Sequence, residues 1–176
     1  WPSSNPLAQI LRALDQPLDV LTYKDWDVLF PEGPLRVGVG GDGFERVVER
    51  LRGPEAVAEW KRFTEVLQPI AAAADALPLL ALPASVDGIG PLLRRSGRLV
   101  QHLPAIRHLS GAFGPLVDRH LQDPFLRHWV DLLCFLISGM PMADTNAAAM
   151  ATLFGEWFDP ESCLDFPKGG SAAVVD

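Results

Sequence analysis

No uninterrupted apolar run in this chain is long enough to cross a bilayer. The longest uncharged apolar stretch lies between Asp131 and Asp144 and contains Pro141. A spanning helix takes about 20 apolar residues, so this run suits a buried or interfacial helix instead. Cysteine is scarce. Cys134 and Cys163 are too few for a disulfide framework, and both stand in apolar surroundings typical of reduced core thiols. Positive charge is short: 15 Lys and Arg against 22 Asp and Glu give a net charge of -7. No overall basic field meets a nucleic-acid backbone. His102, His108, His120 and His128 show no H-x-x-x-H spacing and the cysteines no C-x-x-C, which argues against a metal site. G-x-S-x-G is missing, and Ser138-Gly139 ends an apolar segment, so a hydrolase has little support. There is no internal repeat, and the only low-complexity tract is Ala71–Ala74. The opening W-P-S-S-N-P has neither a basic start nor the apolar segment of a secretory leader, and it lacks an initiator Met. The expectation is a processing point or the edge of a fragment.

What is present is a folded chain. With 176 residues, 48% hydrophobic and 21% charged, it has enough material for one domain with a core, or slightly more. Asn5-Pro6 reads as a helix start, with Leu7, Ile10, Leu11 and Leu14 as a stripe ended by Pro17. Leu18, Val20 and Thr22 alternate, then Val28 and Phe30, then Leu35, Val37 and Val39. With Pro31-Glu32-Gly33-Pro34 as a tight turn, these predict an antiparallel meander. From Phe44 the period becomes helical, breaks at Gly53-Pro54 and resumes to Ala76. Residues 78–91 read as a connector. Helices are predicted over about 91–101, 104–121, 124–138 and 145–157, the last capped by Asp144 or Thr145. Leu164–Phe166 reads as a short strand, Lys168-Gly169-Gly170 as a turn, and Ser171–Val175 as the beginning of another helix.

One stretch looks like chemistry. Gly38, Gly40 and Gly43 spell G-x-G-x-x-G after an apolar run and before a helix. A dinucleotide turn also needs a parallel first strand and a second strand ending in a ribose-binding acid. Glu59 and Glu65 fall at about the right distance, yet both lie inside a continuous helical pattern. The glycines are better read as a strand-to-helix loop needing positive φ. Two other segments stand out. Arg94, Arg95 and Arg98 lie among Leu92, Leu93, Leu99 and Val100, as in a helix resting on an anionic membrane, though an ordinary surface helix reads the same way. Residues 125–137 are apolar almost all round, so that helix must be buried or face something oily. Core packing is the default and a lipophilic tunnel the sharper alternative, with Phe154, Trp157 and Phe158 extending the lining.

Taken together, four stretches resemble the carotenoid isomerase branch of the flavin-dependent phytoene desaturase-like family. They are Ser4-Asn5-Pro6-Leu7 with Ala13-Leu14; Thr22-Tyr23, Trp26 and Phe30-Pro31-Glu32-Gly33; the helix Asp123-Pro124-Phe125 through Leu136; and Glu156-Trp157-Phe158 followed by Leu164–Ser171. The helix and the final turn are the more specific. The resemblance implies a two-part fold, in which a flavin domain built from the chain's two ends carries an inserted substrate domain. Residues 1–176 correspond to that insertion, an α+β unit with an antiparallel sheet and a mostly helical second half.

The function implied is cis-to-trans isomerisation of poly-cis-lycopene, with FAD in the full-length family and no net redox change. The implied partners are a lipophilic polyene and a membrane surface, in a plastid or cyanobacterium. The implied polyene channel is lined by Trp129, Leu133, Leu136, Phe154 and Trp157. Lys168, Gly169 and Gly170 approach the flavin, and Arg94, Arg95 and Arg98 face the membrane. No catalytic residue is implied for this chain. It has neither the dinucleotide turn nor the C-terminal flavin segment, so it is not expected to bind FAD or to be catalytic by itself. The rival reading is a shortened, non-catalytic homologue serving as a structural or pigment-contacting subunit of a photosynthetic membrane complex.

Overall fold

The alternation between residues 20 and 38 folds into strands, though not into a meander. In the computed structural model, residues 6–41, 43–76, 105, 109, 111–159 and 162–175 are described. They form α1 (Pro6–Ala13), β1 (Val20–Tyr23), β2 (Asp25–Phe30), β3 (Gly33–Gly38), α2 (Phe44–Arg52), α3 (Pro54–Ala76), α4 (Gly114–His120), α5 (Pro124–Ser138), α6 (Ala147–Trp157), β4 (Leu164–Pro167) and α7 (Ala172–Val175). The fold is mixed, with seven helices and two small antiparallel sheets among the described residues, compatible with the expected α+β class. The predicted meander is corrected: β2 pairs with β3, but β1 pairs with β4. Among the described residues no helix is long and apolar enough to cross a membrane. The chain divides into two compact units, residues 1–51 with 156–176, and residues 52–155.

The first unit contains both sheets. Phe30 stands opposite Gly33 across a Pro31-Glu32 turn, where Pro31 fixes its own φ and Gly33 takes φ 121°. Side chains alternate across the hairpin as the pleat requires. Val28, Leu35 and Val37 are buried, while Asp25, Asp27, Leu29 and Arg36 are exposed. Phe44, Val47 and Val48 of α2 are also buried, and Phe44 meets the edge of Trp157 with ring centroids 5.4 Å apart. The second sheet joins Val20 to Pro167 and Tyr23 to Leu164. A Thr22 Oγ1 to Asp165 Oδ1 hydrogen bond of 2.6 Å and a Lys168 Nζ to Asp19 Oδ2 ion pair of 2.9 Å brace its two ends.

The second unit is helical. Gly53, at φ 86°, ends α2, and Pro54 opens α3, where its missing N–H costs nothing. The predicted helix over 104–121 is described as helix from Gly114 to His120. Helix α5 is built as its sequence dictates. Asp123 Oδ1 accepts from the N–H groups of Phe125 (2.9 Å) and Leu126 (3.1 Å). Pro124 occupies the first turn, and Gly139 caps the end at φ 69°. Arg52 Nε donates to the other oxygen of Asp123 at 2.9 Å. Removing this cap with Asp123→Ala should cost about 1–2 kcal/mol, read as a lowered denaturant midpoint with an unchanged slope. The cap of α6 is corrected from Asp144 or Thr145 to Asn146, whose Oδ1 accepts from Ala148 N–H at 2.8 Å. Thr145 is instead fully buried. Its hydroxyl lies 2.8 Å from Ser138 Oγ and donates toward the carbonyls of Met140 and Pro141. Trp60, Phe63, Phe113 and Phe154 form the aromatic core of this unit, in contact at centroid distances of 5.7–6.3 Å.

Candidate functional site

The glycine-rich loop is settled by what lies against it. A Cβ on Gly41 would stand 2.3 Å from Trp157 Nε1, and one on Gly40 would stand 3.1 Å from the Asp159 carbonyl. Gly41 N–H donates to the Trp157 carbonyl at 2.8 Å. These glycines permit backbone and indole to approach closely; of those in the motif, Gly43 takes the positive φ the sequence suggests, at 76°. The strand before the loop is antiparallel, and Glu59 accepts the backbone N–H groups of Gln122 and Asp123 across the α4–α5 turn. Glu59 thus serves as a structural acceptor.

Among the described residues, exposed apolar side chains gather along α1 and the turn after it (Leu7, Ile10 and Leu14), on the β1–β4 ribbon and at the end of α5; the last two are the ones that bear on a site. In the β1–β4 ribbon, cross-strand partners share a face, so Leu21, Tyr23, Leu164 and Phe166 point the same way. All four are exposed by 41–53%, and Tyr23 and Phe166 meet edge to face at 5.4 Å. A lone two-stranded ribbon is marginal in water, and a contiguous apolar face of this kind marks a contact surface. The ribbon runs directly into Lys168, Gly169 and Gly170, where Gly169 and Gly170 take φ 92° and 75°. A Cβ on Gly170 would meet nothing within 4 Å.

The other surface is the last turn of α5. Its buried stripe is Phe125, Leu126, Trp129, Val130, Leu133 and Cys134, the spacing of one helix face. Phe135, Leu136, Ile137 and Met140 are exposed by 60, 56, 47 and 41%. The channel residues expected from sequence therefore divide. Trp129, Leu133 and Phe154 are packed inside the second unit, Leu136 is on the surface, and Trp157 is packed in the first unit against Phe44 and the glycine loop. Arg94, Arg95 and Arg98 lie outside the described residues. Phe135, Ile137 and Met140 were not singled out as contact residues by the sequence, and Leu21, Tyr23 and Phe166 were not singled out as a face. The phase of the capped helix and the pairing of β1 with β4 are the signals that identify them.

Cys134 is fully buried. Burial is the main force raising its thiol from the ordinary 9.0 to about 11, the Thr145 hydrogen bond opposes this, and the nearby Asp131 charge adds to the rise. A thiol with a raised folded pKa stabilises the fold below its unfolded value and loses that contribution as pH climbs. The midpoint of unfolding should therefore fall between pH 9 and pH 11, and Cys134→Ser should flatten that fall. At pH 8, iodoacetamide should leave Cys134 unlabelled until denaturant is added; rapid native labelling would contradict the burial. Among the described residues no group of His, Cys, Asp or Glu could hold a metal ion.

Comparison of the chain with protein-family models, with curated proteins and with solved structures gave no match.

Proposed function

We propose that this chain is the substrate-binding part of a flavin-dependent carotenoid cis–trans isomerase acting on poly-cis-lycopene-like polyenes, inserted into a flavin-binding domain. The observation that carries this reading is the β1–β4 pair, in which Val20 stands opposite Pro167. The chain thus enters and leaves this sheet side by side, as an insertion between two parts of another domain requires. The resemblance of the α5 helix and the final turn to the family gives the reading its chemistry.

In this reading the turn Lys168-Gly169-Gly170 would lie close to the flavin. Its two left-handed glycines, which lack a Cβ, permit close approach. Reduced FAD, held mainly by the other domain, would supply the chemistry without net redox change. Residues of this chain bind and orient the polyene. Phe135, Leu136, Ile137 and Met140 offer it an apolar surface, backed by the packed Trp129, Leu133 and Phe154. Trp157 is packed against Phe44 and the glycine loop and supports the first unit, and Arg94, Arg95 and Arg98 meet the surface of a plastid or cyanobacterial membrane. The exposed ribbon face also suits the rival reading, a non-catalytic subunit of a membrane complex; isolation in such a complex without flavin would favour that alternative.

The direct test is flotation with vesicles loaded with poly-cis-lycopene. The wild-type chain should float with the pigment. Leu136→Glu and Ile137→Glu each replace an exposed apolar side chain by a charge, so they leave the fold intact and should weaken flotation about tenfold or more. Unchanged flotation of both variants would remove the polyene surface from α5.

A further inference from the structure

The proposed function leaves a cationic cleft in the first unit without a role. The cleft has a volume of about 700 Å³ and is open to solvent, between the outer side of the β2–β3 hairpin and α2. Its rim carries Lys24, Arg36, Arg46 and Arg50, and Val37 and Val47 form part of its wall. Asp25 is the acid in the lining, and it is bound to Arg36. That hydrogen bond, with the charges of Asp25 and Asp27, raises the Arg36 pKa above its ordinary value, so Arg36 is already satisfied. The other three are different. Among the described residues none of Lys24, Arg46 and Arg50 is held in an ion pair. Arg46 and Arg50 are one helical turn apart and therefore share a face of α2. Arg46 folds back over the start of the helix, with Nη2 3.1 Å from where a Cβ on Gly43 would stand. A side chain at position 43 would press on that guanidinium.

Three cations converging on one concavity, none held in an ion pair among the described residues, are unusual in a chain of net charge -7. Their mutual repulsion is relieved by a multivalent anion, and guanidinium groups match phosphoryl oxygens in geometry. The volume exceeds that of a lone phosphate and falls in the range of small-molecule sites. We infer that this cleft binds a phosphoryl group through Lys24, Arg46 and Arg50, carried either by a soluble phosphate ester or by a lipid headgroup. The inference does not depend on the isomerase reading.

The test is titration of the full chain with inorganic pyrophosphate, followed by the Nε–Hε signals of arginine, together with sedimentation on phosphatidylcholine vesicles with and without phosphatidate. Arg46→Gln and Arg50→Gln are the variants, and Arg62→Gln, an exposed arginine of α3, is the control. All three positions are on the surface, so the fold is retained, and thermal unfolding verifies it. A soluble ligand predicts saturable pyrophosphate shifts at Arg46 and Arg50, with affinity about tenfold lower in either variant and unchanged in the control. A headgroup predicts phosphatidate-dependent sedimentation that the same variants lose and the control keeps, with little affinity for pyrophosphate. No binding in either arm, or equal losses in the Arg62→Gln control, would overturn the assignment.

Discussion

Phe154→Ala is expected to destabilise the second unit by about 3–5 kcal/mol. Phe154 is fully buried and touches the rings of Trp60, Phe63 and Phe113, meeting Phe63 edge to face at 6.1 Å. Truncation removes the transfer energy of the ring and leaves a cavity whose walls are themselves large aromatics. These walls cannot collapse without leaving their own contacts. A domain of this size is stable by only about 5–15 kcal/mol, so the variant should show a greatly lowered urea midpoint, followed by tryptophan fluorescence. The size of the loss also reports on function. A loss below about 1 kcal/mol would mean that Phe154 borders open space, as a channel lining does. The packing here predicts the larger value, and that separates a polyene surface on α5 from a tunnel through the aromatic core.

The second large effect is at Gly41. Alanine there would bring a Cβ to 2.3 Å from Trp157 Nε1 and 2.8 Å from its Cε2, distances that require the indole or the loop to move. Overpacking of this kind costs about 1–3 kcal/mol. The Gly41 N–H to Trp157 carbonyl bond, 2.8 Å long, would be strained by the same shift. Near-UV circular dichroism should change with the Trp157 environment even where the variant remains folded. Gly41 is one of the variable positions of the G-x-G-x-x-G pattern, so a dinucleotide turn gives no reason for its sensitivity, whereas the contact with Trp157 does. An unchanged spectrum and stability in Gly41→Ala would show that the loop does not rest on the indole.

The local signals of the sequence were strong where punctuation and periodicity coincide. Asp123-Pro124 and Gly139 bound α5 at the expected positions because a capping carboxylate, a first-turn proline and a left-handed glycine act through neighbouring backbone groups. Gly53-Pro54 did the same between α2 and α3. The pairing of β1 was not legible. A period of two identifies a strand without naming its partner, and Thr22 meets Asp165 across 143 positions. The cap of α6 was missed because Thr145, a good capping residue by type, is drawn into the buried hydroxyl pair with Ser138, which leaves the role to Asn146. The surface of α5 was only half legible. A segment apolar on nearly every side does not reveal its phase, so Leu133 and Leu136 look alike in sequence although one is buried and the other exposed. The cleft cations escaped notice because Lys24 lies between the strands and far in sequence from Arg46 and Arg50. The expected membrane-facing arginines, Arg94, Arg95 and Arg98, lie outside the described residues.

The central claim is that this chain is a domain inserted into a flavoprotein, and the measurement that tests it most directly is the intact mass of the natural polypeptide together with its visible absorbance. The account predicts a mass well above the 19.2 kDa of these residues, with a stoichiometric flavin spectrum in the same sample. A mass near 19.2 kDa with no flavin would contradict it and leave the non-catalytic subunit as the reading to pursue.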